Sequence, residues 1–415
     1  MKQQQSIKAI LLLILSTLLI QSCGFAGTRT PEGMAASTAL TDPGLTLATT
    51  PAEQPTATPT PKLPAGFFAG GKPFRFIGAF IPGWYWGDWS QANDVAIITE
   101  AKQAGISVLR IMFPDDYEYP LGTFQESQLV KVDHFMDIAS RNGIYVIGSF
   151  IHGLGITTDT GSPFLDPSGI GALINRPEFR SGYKAHIATL ANRTNTFNGR
   201  RYSEDPTIFA WMLIEEIVSA PWNYPSGFPD VSASQVAAWV EENAAYLKSI
   251  DPNHLVTINV TGAISTFSSS LNQPWEPIIE SPSLDFIEVE DAEARILLFP
   301  EKMDTIDEIY ATGKPIVQML SYTGGDIDPV KYCNDYRWQA DTMGQVADRY
   351  LSKGAAGLTI FSWRAGTVTP PSFDNCYSYD INNSDIVGMI QGIARELGLQ
   401  NTPPSPLEFV TLGNR

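Results

Sequence analysis

Two acidic clusters carry the residues whose chemistry is easiest to read from the chain. Glu215 and Glu216 end the run TIFAWMLIE (207–215), and Glu288, Val289, Glu290 and Asp291 end the run LDFIEVE (284–290). A carboxylate at the rim of an apolar scaffold is desolvated, so its pKa rises and it can deliver a proton near neutral pH. Alternation along a strand places Phe286, Glu288 and Glu290 on one face, and turns Glu215 and Glu216 to opposite faces. Arg110 interrupts the apolar run VLRIMF (108–113), where a guanidinium needs a buried carboxylate partner. Glu216 or its neighbours are the candidate partners. His152 follows YVIGSFI (145–151) and can donate to a sugar hydroxyl. Trp84, Tyr85, Trp86 and Trp89 crowd IPGWYWGDW, with Trp222, Tyr224 and Trp363 at later run ends. Flat aromatic faces suit the axial C–H groups of pyranose rings. Each of these residues also has a structural reading: a glutamate paired to arginine, an aromatic plugging a fold, a histidine satisfied in a core.

These residues share one kind of position. Eight short β-rich runs alternate with amphipathic helical runs from Phe74 onward: 74–80, 108–113, 145–151, 207–215, 255–260, 284–290, 315–320 and 357–363. The runs are nearly continuous in apolar residues, as in a parallel sheet covered by helices. Several helical runs end in glycine just before the next strand, which is C-cap chemistry. Eight such units predict an α/β (β/α)8 TIM barrel, whose active site lies at the C-terminal ends of the strands. A doubly wound sheet is the alternative, but no glycine-rich phosphate motif follows any strand.

The composition narrows the partners. The chain has 415 residues, 43% hydrophobic and only 17% charged, with a formal charge of −17. Such a chain lacks the basic surface that nucleic acid or anionic membranes require. No CxxC or HExxH occurs, and no metal or cofactor motif is visible. Residues 1–23 read as an export signal: Lys2 and Lys8, the apolar stretch 9–20, then Ile20-Gln21-Ser22-Cys23, which resembles a bacterial lipobox. Cys23 is then the lipidated N-terminus, and the mature balance is 25 − 44 = −19. Ordinary cleavage near Ser22 is the alternative. Residues 24–65 are Thr/Pro-rich and read as a disordered tether, 66–400 as the barrel and 401–415 as a C-terminal tail. Cys333 and Cys376 fall in loops and are a candidate disulfide of an exported protein; two buried free thiols are the bland alternative.

The stretch NRTNTFNGRRYSEDPTIFAWMLIEE (192–216), with FRFIGAF, AGISVLRI and WVEENAAYLKSIDPNHLV (239–256), resembles the family 5 glycoside hydrolases, in the endo-β-1,4-mannanase branch. The resemblance covers most of residues 74–365. It implies a (β/α)8 barrel that hydrolyses β-linked polysaccharide with two glutamates, one ending strand four and one ending strand seven. The acid/base maps to Glu216, the strand-two arginine to Arg110 and the strand-eight sugar-floor tryptophan to Trp363. The chain departs from the family in three places. Glu215 replaces the asparagine before the acid, and Glu290 and Ala292 replace a His-x-Tyr pair. Gly313-Lys314-Pro315 is intact, yet the nucleophile position falls on Leu320, between Met319 and Ser321.

A retaining hydrolase needs a second carboxylate about 5 Å from the acid, and an inverting one needs it about 6.5–9.5 Å away. The leading expectation is a mannanase-like hydrolase with Glu216 as acid/base and the second carboxylate moved to Glu290. Arg110, Trp363, Glu215, Trp86, Trp222, His152 and Glu288 are its candidate substrate-binding residues, with no cofactor or metal. The partner is a neutral β-linked polysaccharide or oligosaccharide, met by a monomer held at the outer face of the cell membrane by lipid, or secreted. The alternative is a tethered pseudoenzyme that binds polysaccharide without cleaving it.

Overall fold

A computed structural model describes residues 66–81, 89–114, 124–151, 170–215, 232–261, 276–292, 310–321, 335–365, 379–398 and 407–413. All eight expected strands are present, joined in one parallel sheet. In chain order they are β3 (Phe76–Ile81), β4 (Val108–Met112), β5 (Tyr145–Ser149), β6 (Ile208–Met212), the split pair β7 (Leu255–Thr257) and β8 (Asn259–Thr261), β9 (Ile287–Ala292), β10 (Ile316–Ser321) and β11 (Gly357–Phe361). The sheet runs β7-β6-β5-β4-β3-β11-β10-β9-β8. Its two edges are halves of one strand. The lower half bonds to β6 and, past Ile258, the upper half bonds to β9, so the fifth strand closes the barrel.

Helices α1 (Gln91–Ala104), α2 (Glu126–Asn142), α3 (Ile170–Asn175), α4 (Pro177–Ala191), α5 (Ala233–Ile250), α6 (Glu276–Ile279), α7 (Tyr336–Ser352) and α8 (Ser384–Glu396) alternate with the strands. Their ends follow the residues that cap them. The Ser90 side chain accepts from Asn93 N to open α1, and Ser232 with Gln235 forms a capping box on α5. Gly105 and Gly143, at φ 95° and 68°, take the left-handed conformation that turns α1 and α2 back toward the next strand.

The lower barrel is filled with aromatics and closed by a small antiparallel sheet: β1 (Phe67–Ala69), β2 (Lys72–Phe74) and β12 (Val410–Leu412). Phe67 sits under the barrel with its ring centroid 5.0 Å from Phe209 and 5.2 Å from Phe286. Tyr145 OH donates to the Glu408 carbonyl at 2.9 Å. The segment read as a C-terminal tail from 401 therefore contributes, over 407–413, a strand of the fold. Leu407 and Val410 give it a buried face.

The most specific part of the family-like motif is a structural knot around Asp133 on α2. Asp133 accepts from Arg193 Nε at 2.8 Å, Arg193 Nη2 at 2.6 Å, Thr196 Oγ1 at 2.8 Å and Tyr202 OH at 2.7 Å. Asn195 Nδ2 returns a bond to the Asp133 carbonyl, and Gly199 at φ 72° lets the loop turn. Lys314 of the Gly-Lys-Pro segment is also structural: its buried ammonium donates to the carbonyls of Ser281 and Leu284.

Candidate functional site

The site forms where side chains of non-adjacent strands meet across the barrel axis. Arg110 on β4 is fully buried. Its Nη2 donates to Glu215 Oε1 at 2.8 Å, and its Nη1 donates to Glu288 Oε2 on β9. Asn259 Nδ2 shares Glu288 Oε2 at 3.3 Å. The Phe80 ring lies 4.1 Å from the guanidinium carbon, and Met319 Sδ stands 3.9 Å from Nη2. Burial opposes the charge on Arg110, but Glu215, Glu288 and Glu290 outweigh it and hold its pKa above the ordinary arginine value. A guanidinium suits this position because its planar fork can serve two carboxylates at once.

Strand register assigns the inward positions. Glu288 pairs with Val317, and Glu290 pairs with Met319, which pairs in turn with Thr359. Met319 touches Arg110, so this face points to the axis. Glu290 stands two residues beyond Glu288, one inward step nearer the C-terminal end of β9, and is partly exposed where Glu215 and Glu288 are buried.

Leu320 corrects the sequence reading. The resemblance puts the nucleophile position on it, but by alternation it lies on the face of β10 opposite Met319, and it is fully buried in the apolar core. The described side chains that β10 directs to the axis are Val317 and Met319. Neither is a carboxylate. Met319 escaped sequence reasoning because an apolar strand residue gives no sign of which face it takes when the strand's first inward residue is unknown.

Strand four also ends earlier than expected, at Met212 rather than Glu215. A bend at Leu213 follows, and Glu215 N bonds to the Ile151 carbonyl at 2.9 Å. That break carries Glu215 inward to Arg110. Trp363 is 1% exposed, its Nε1 has no hydrogen-bond partner among the described residues, and its backbone N bonds to the Phe80 carbonyl at 2.8 Å. Trp89 is tied down rather than presented: its Nε1 donates to Asp94 Oδ1 at 3.1 Å, beside His134. Glu216, His152, Trp86, Trp222, Cys23, Cys333 and Cys376 lie outside the described residues. Among the described residues no group of three or more His, Cys, Asp or Glu side chains has the geometry to hold a metal ion.

Residues 168–287 match the family model described as GH family 5 beta-mannosidase-like. Mannan endo-1,4-beta-mannosidase 2 of Arabidopsis thaliana is 26% identical over 253 residues, 51% of this chain and 54% of that protein. Mannan endo-1,4-beta-mannosidase 4 of Oryza sativa subsp. japonica is 31% identical over 201 residues, 43% of this chain and 41% of that protein. The chain thus spans about half the length of these curated relatives, while mannan endo-1,4-beta-mannosidase 5 of Arabidopsis thaliana matches over 77% of this chain and 85% of its own length at 24% identity. The endo-beta-1,4-mannanase of Thermotoga petrophila superposes with a TM-score of 0.62 at 21% identity, covering 80% of this chain and 78% of that one. That of Rhizomucor miehei gives 0.62 at 18% identity, covering 81% and 99%. At these identities the structures speak for the fold. In sequence over residues 168–287 and in fold over about four-fifths of its length, the chain is similar to the family 5 glycoside hydrolases of the endo-β-1,4-mannanase branch.

Proposed function

We propose that this chain is a mannan endo-β-1,4-mannosidase-like hydrolase of neutral β-linked polysaccharide, with Glu216 as general acid/base and Glu290 as the second carboxylate. The observation that carries the reading is the division of labour on β9: Glu288 is buried against Arg110, and Glu290, one inward step higher, is partly exposed. Glu216 protonates the glycosidic oxygen as the bond to the anomeric carbon breaks. Glu290 meets that carbon from the other side, as nucleophile at a carboxyl separation of about 5 Å, or as base for a water at about 6.5–9.5 Å. The anomeric form of the first product, followed by proton NMR, tells the two apart.

One observation favours a second reading. With no carboxylate on β10 from Ile316 to Ser321, the chain is a polysaccharide-binding pseudoenzyme. Reducing-end release from a panel of β-glycans, with Glu216→Gln and Glu290→Gln as controls, separates the two. Turnover lost in both variants supports the hydrolase; retardation in galactomannan gels with no turnover supports the binder.

The export reading is part of the proposal. Lipid on Cys23 holds a monomeric barrel at the outer face of the cell membrane, and Cys333 and Cys376 form a disulfide. Radiolabelled palmitate incorporated by the wild type and not by Cys23→Ala supports the anchor; equal labelling, or none in either, overturns it. Mass spectrometry of the non-reduced protein tests the disulfide, and two free thiols contradict it.

A further inference from the structure

His254 stands just before β7, its side chain only 1% exposed, and meets four parts of the chain. Its Nδ1 lies 2.7 Å from Oδ2 of Asp251, the residue that ends α5. Its Nε2 lies 3.0 Å from the carbonyl of Asp205, which closes the turn Tyr202–Glu204. Trp211 of β6 stands edge-on to the ring, centroids 6.1 Å apart, and Phe409 of the C-terminal segment lies against it at 5.2 Å.

Both facing oxygens are acceptors. A backbone carbonyl has no proton to give. Asp251 already accepts from Asn253 N at 3.0 Å, His254 N at 3.2 Å and Trp211 Nε1 at 2.6 Å, and it meets Nδ1 in the same role. A neutral imidazole carries one N–H and one lone pair. In either tautomer one lone pair would point at an oxygen lone pair, deep in the fold. The geometry is satisfied when both ring nitrogens carry hydrogen. The Asp205 carboxylate is taken by Thr207 N and Oγ1, with Arg200 Nη1 at 3.5 Å, so among the described residues Asp251 is the charged group that touches the ring.

We propose that His254 is a buried imidazolium and that its pair with Asp251 is a proton-held latch at the foot of strands four and five, which loosens as pH rises. The proposal goes beyond the assignment of the reacting pair and does not depend on it. An unfolded chain releases a histidine proton near about pH 6.5. Above that pH the folded chain holds one proton more than the unfolded chain, and stability therefore falls as pH climbs. When the proton leaves, one of the two bonds that join the end of α5, the turn at Tyr202–Glu204 and the entry to β7 is lost.

The full chain labelled with 15N-histidine is the direct test. Replacing His134, His152 and His186 singly with Gln assigns their signals and identifies His254 without touching it. At pH 8 the His254 ring shows two protonated nitrogens; one bare nitrogen overturns the imidazolium. Melting is the second arm. From pH 6.5 to 9 the wild type loses at least about 3 °C more than His254→Gln, whose amide does not titrate. Equal losses overturn the latch even where the ring is charged. Should His254→Gln fail to fold, hydrogen exchange of the wild type decides. Corrected for the chemical rate, peptides covering 203–208 and 251–257 exchange faster at pH 9 than at pH 7, while one covering α7 does not. The same change in all three peptides, or in none, overturns the latch.

Discussion

Arg110 Nη2 and Glu215 Oε1 stand 2.8 Å apart in the interior of the barrel, although 105 residues separate them in the chain. Glu288 holds the other terminal nitrogen of the same guanidinium. The strand-two cation is thus balanced by carboxylates from strands four and six, and the strand-seven residue at its side is the thioether of Met319. A buried charge is stable only while its partners remain, which makes the arrangement a sensitive point for stability as well as chemistry.

Arg110→Met leaves Glu215 and Glu288 buried without their shared cation. Removing one partner of a buried pair costs about 3–5 kcal/mol. Urea unfolding of the variant should show a loss of unfolding free energy of that size. A loss under about 1 kcal/mol would mean that water reaches the carboxylates and that the interior is not the low-dielectric site described.

Two buried groups give the chain opposing pH dependences. Burial is the largest influence on Asp94 and raises its carboxyl from 3.8 to about 6, against the hydrogen bonds from His134 and Trp89. The folded chain binds that proton more tightly than the unfolded one, so this contribution is complete below about pH 4 and is lost as pH rises to about 6. Burial lowers His186 from 6.5 to about 4, against its bond to the Phe150 carbonyl. Here the unfolded chain binds the proton more tightly, and stability is lost as pH falls through that window. Each slope is worth on the order of 3 kcal/mol, and the two run in opposite directions. Asp94→Asn should lose melting temperature from pH 6.5 to 4, and His186→Gln should gain it. Variants whose profiles run parallel to the wild type would contradict the opposing pair.

The fold was legible in the chain because its eight strands are nearly continuous apolar runs between amphipathic helices, two of which, α1 and α2, end on left-handed glycines. Arg110 was legible too, since a guanidinium in VLRIMF demands a carboxylate partner. What escaped was orientation. Met319 and Leu320 are both apolar, and it is the contact of Met319 with Arg110 that reveals which one faces the axis. Glu215 escaped for a related reason: the bend at Leu213 breaks the alternation that would have assigned its face. Motif specificity was also a poor guide to chemistry, because the residues around Asn195 and Tyr202 are spent on holding Asp133.

Asp133→Ala tests that last point. It removes the acceptor for Arg193, Thr196 and Tyr202 together. The expected cost is about 3–5 kcal/mol of stability, with kcat/KM at a temperature where the variant is folded unchanged within about twofold. A variant of wild-type stability, or one folded but inactive, would show that the knot does something other than hold the loop.

Removal of residues 407–415 tests the barrel floor. It deletes β12, uncovers Phe67 and leaves Tyr145 OH without the Glu408 carbonyl. The truncated chain should melt lower than Phe67→Ala, itself destabilised by about 3–5 kcal/mol. Unchanged melting after truncation would return the segment to the status of a tail.

The account turns on whether Glu290 reacts. The measurement is reducing-end release from β-mannan by the wild type and by Glu290→Gln, with both proteins shown to be folded. The wild type should release reducing ends, and Glu290→Gln should lose at least about a thousandfold in rate. Equal rates in the two proteins, or no release by either, would contradict it.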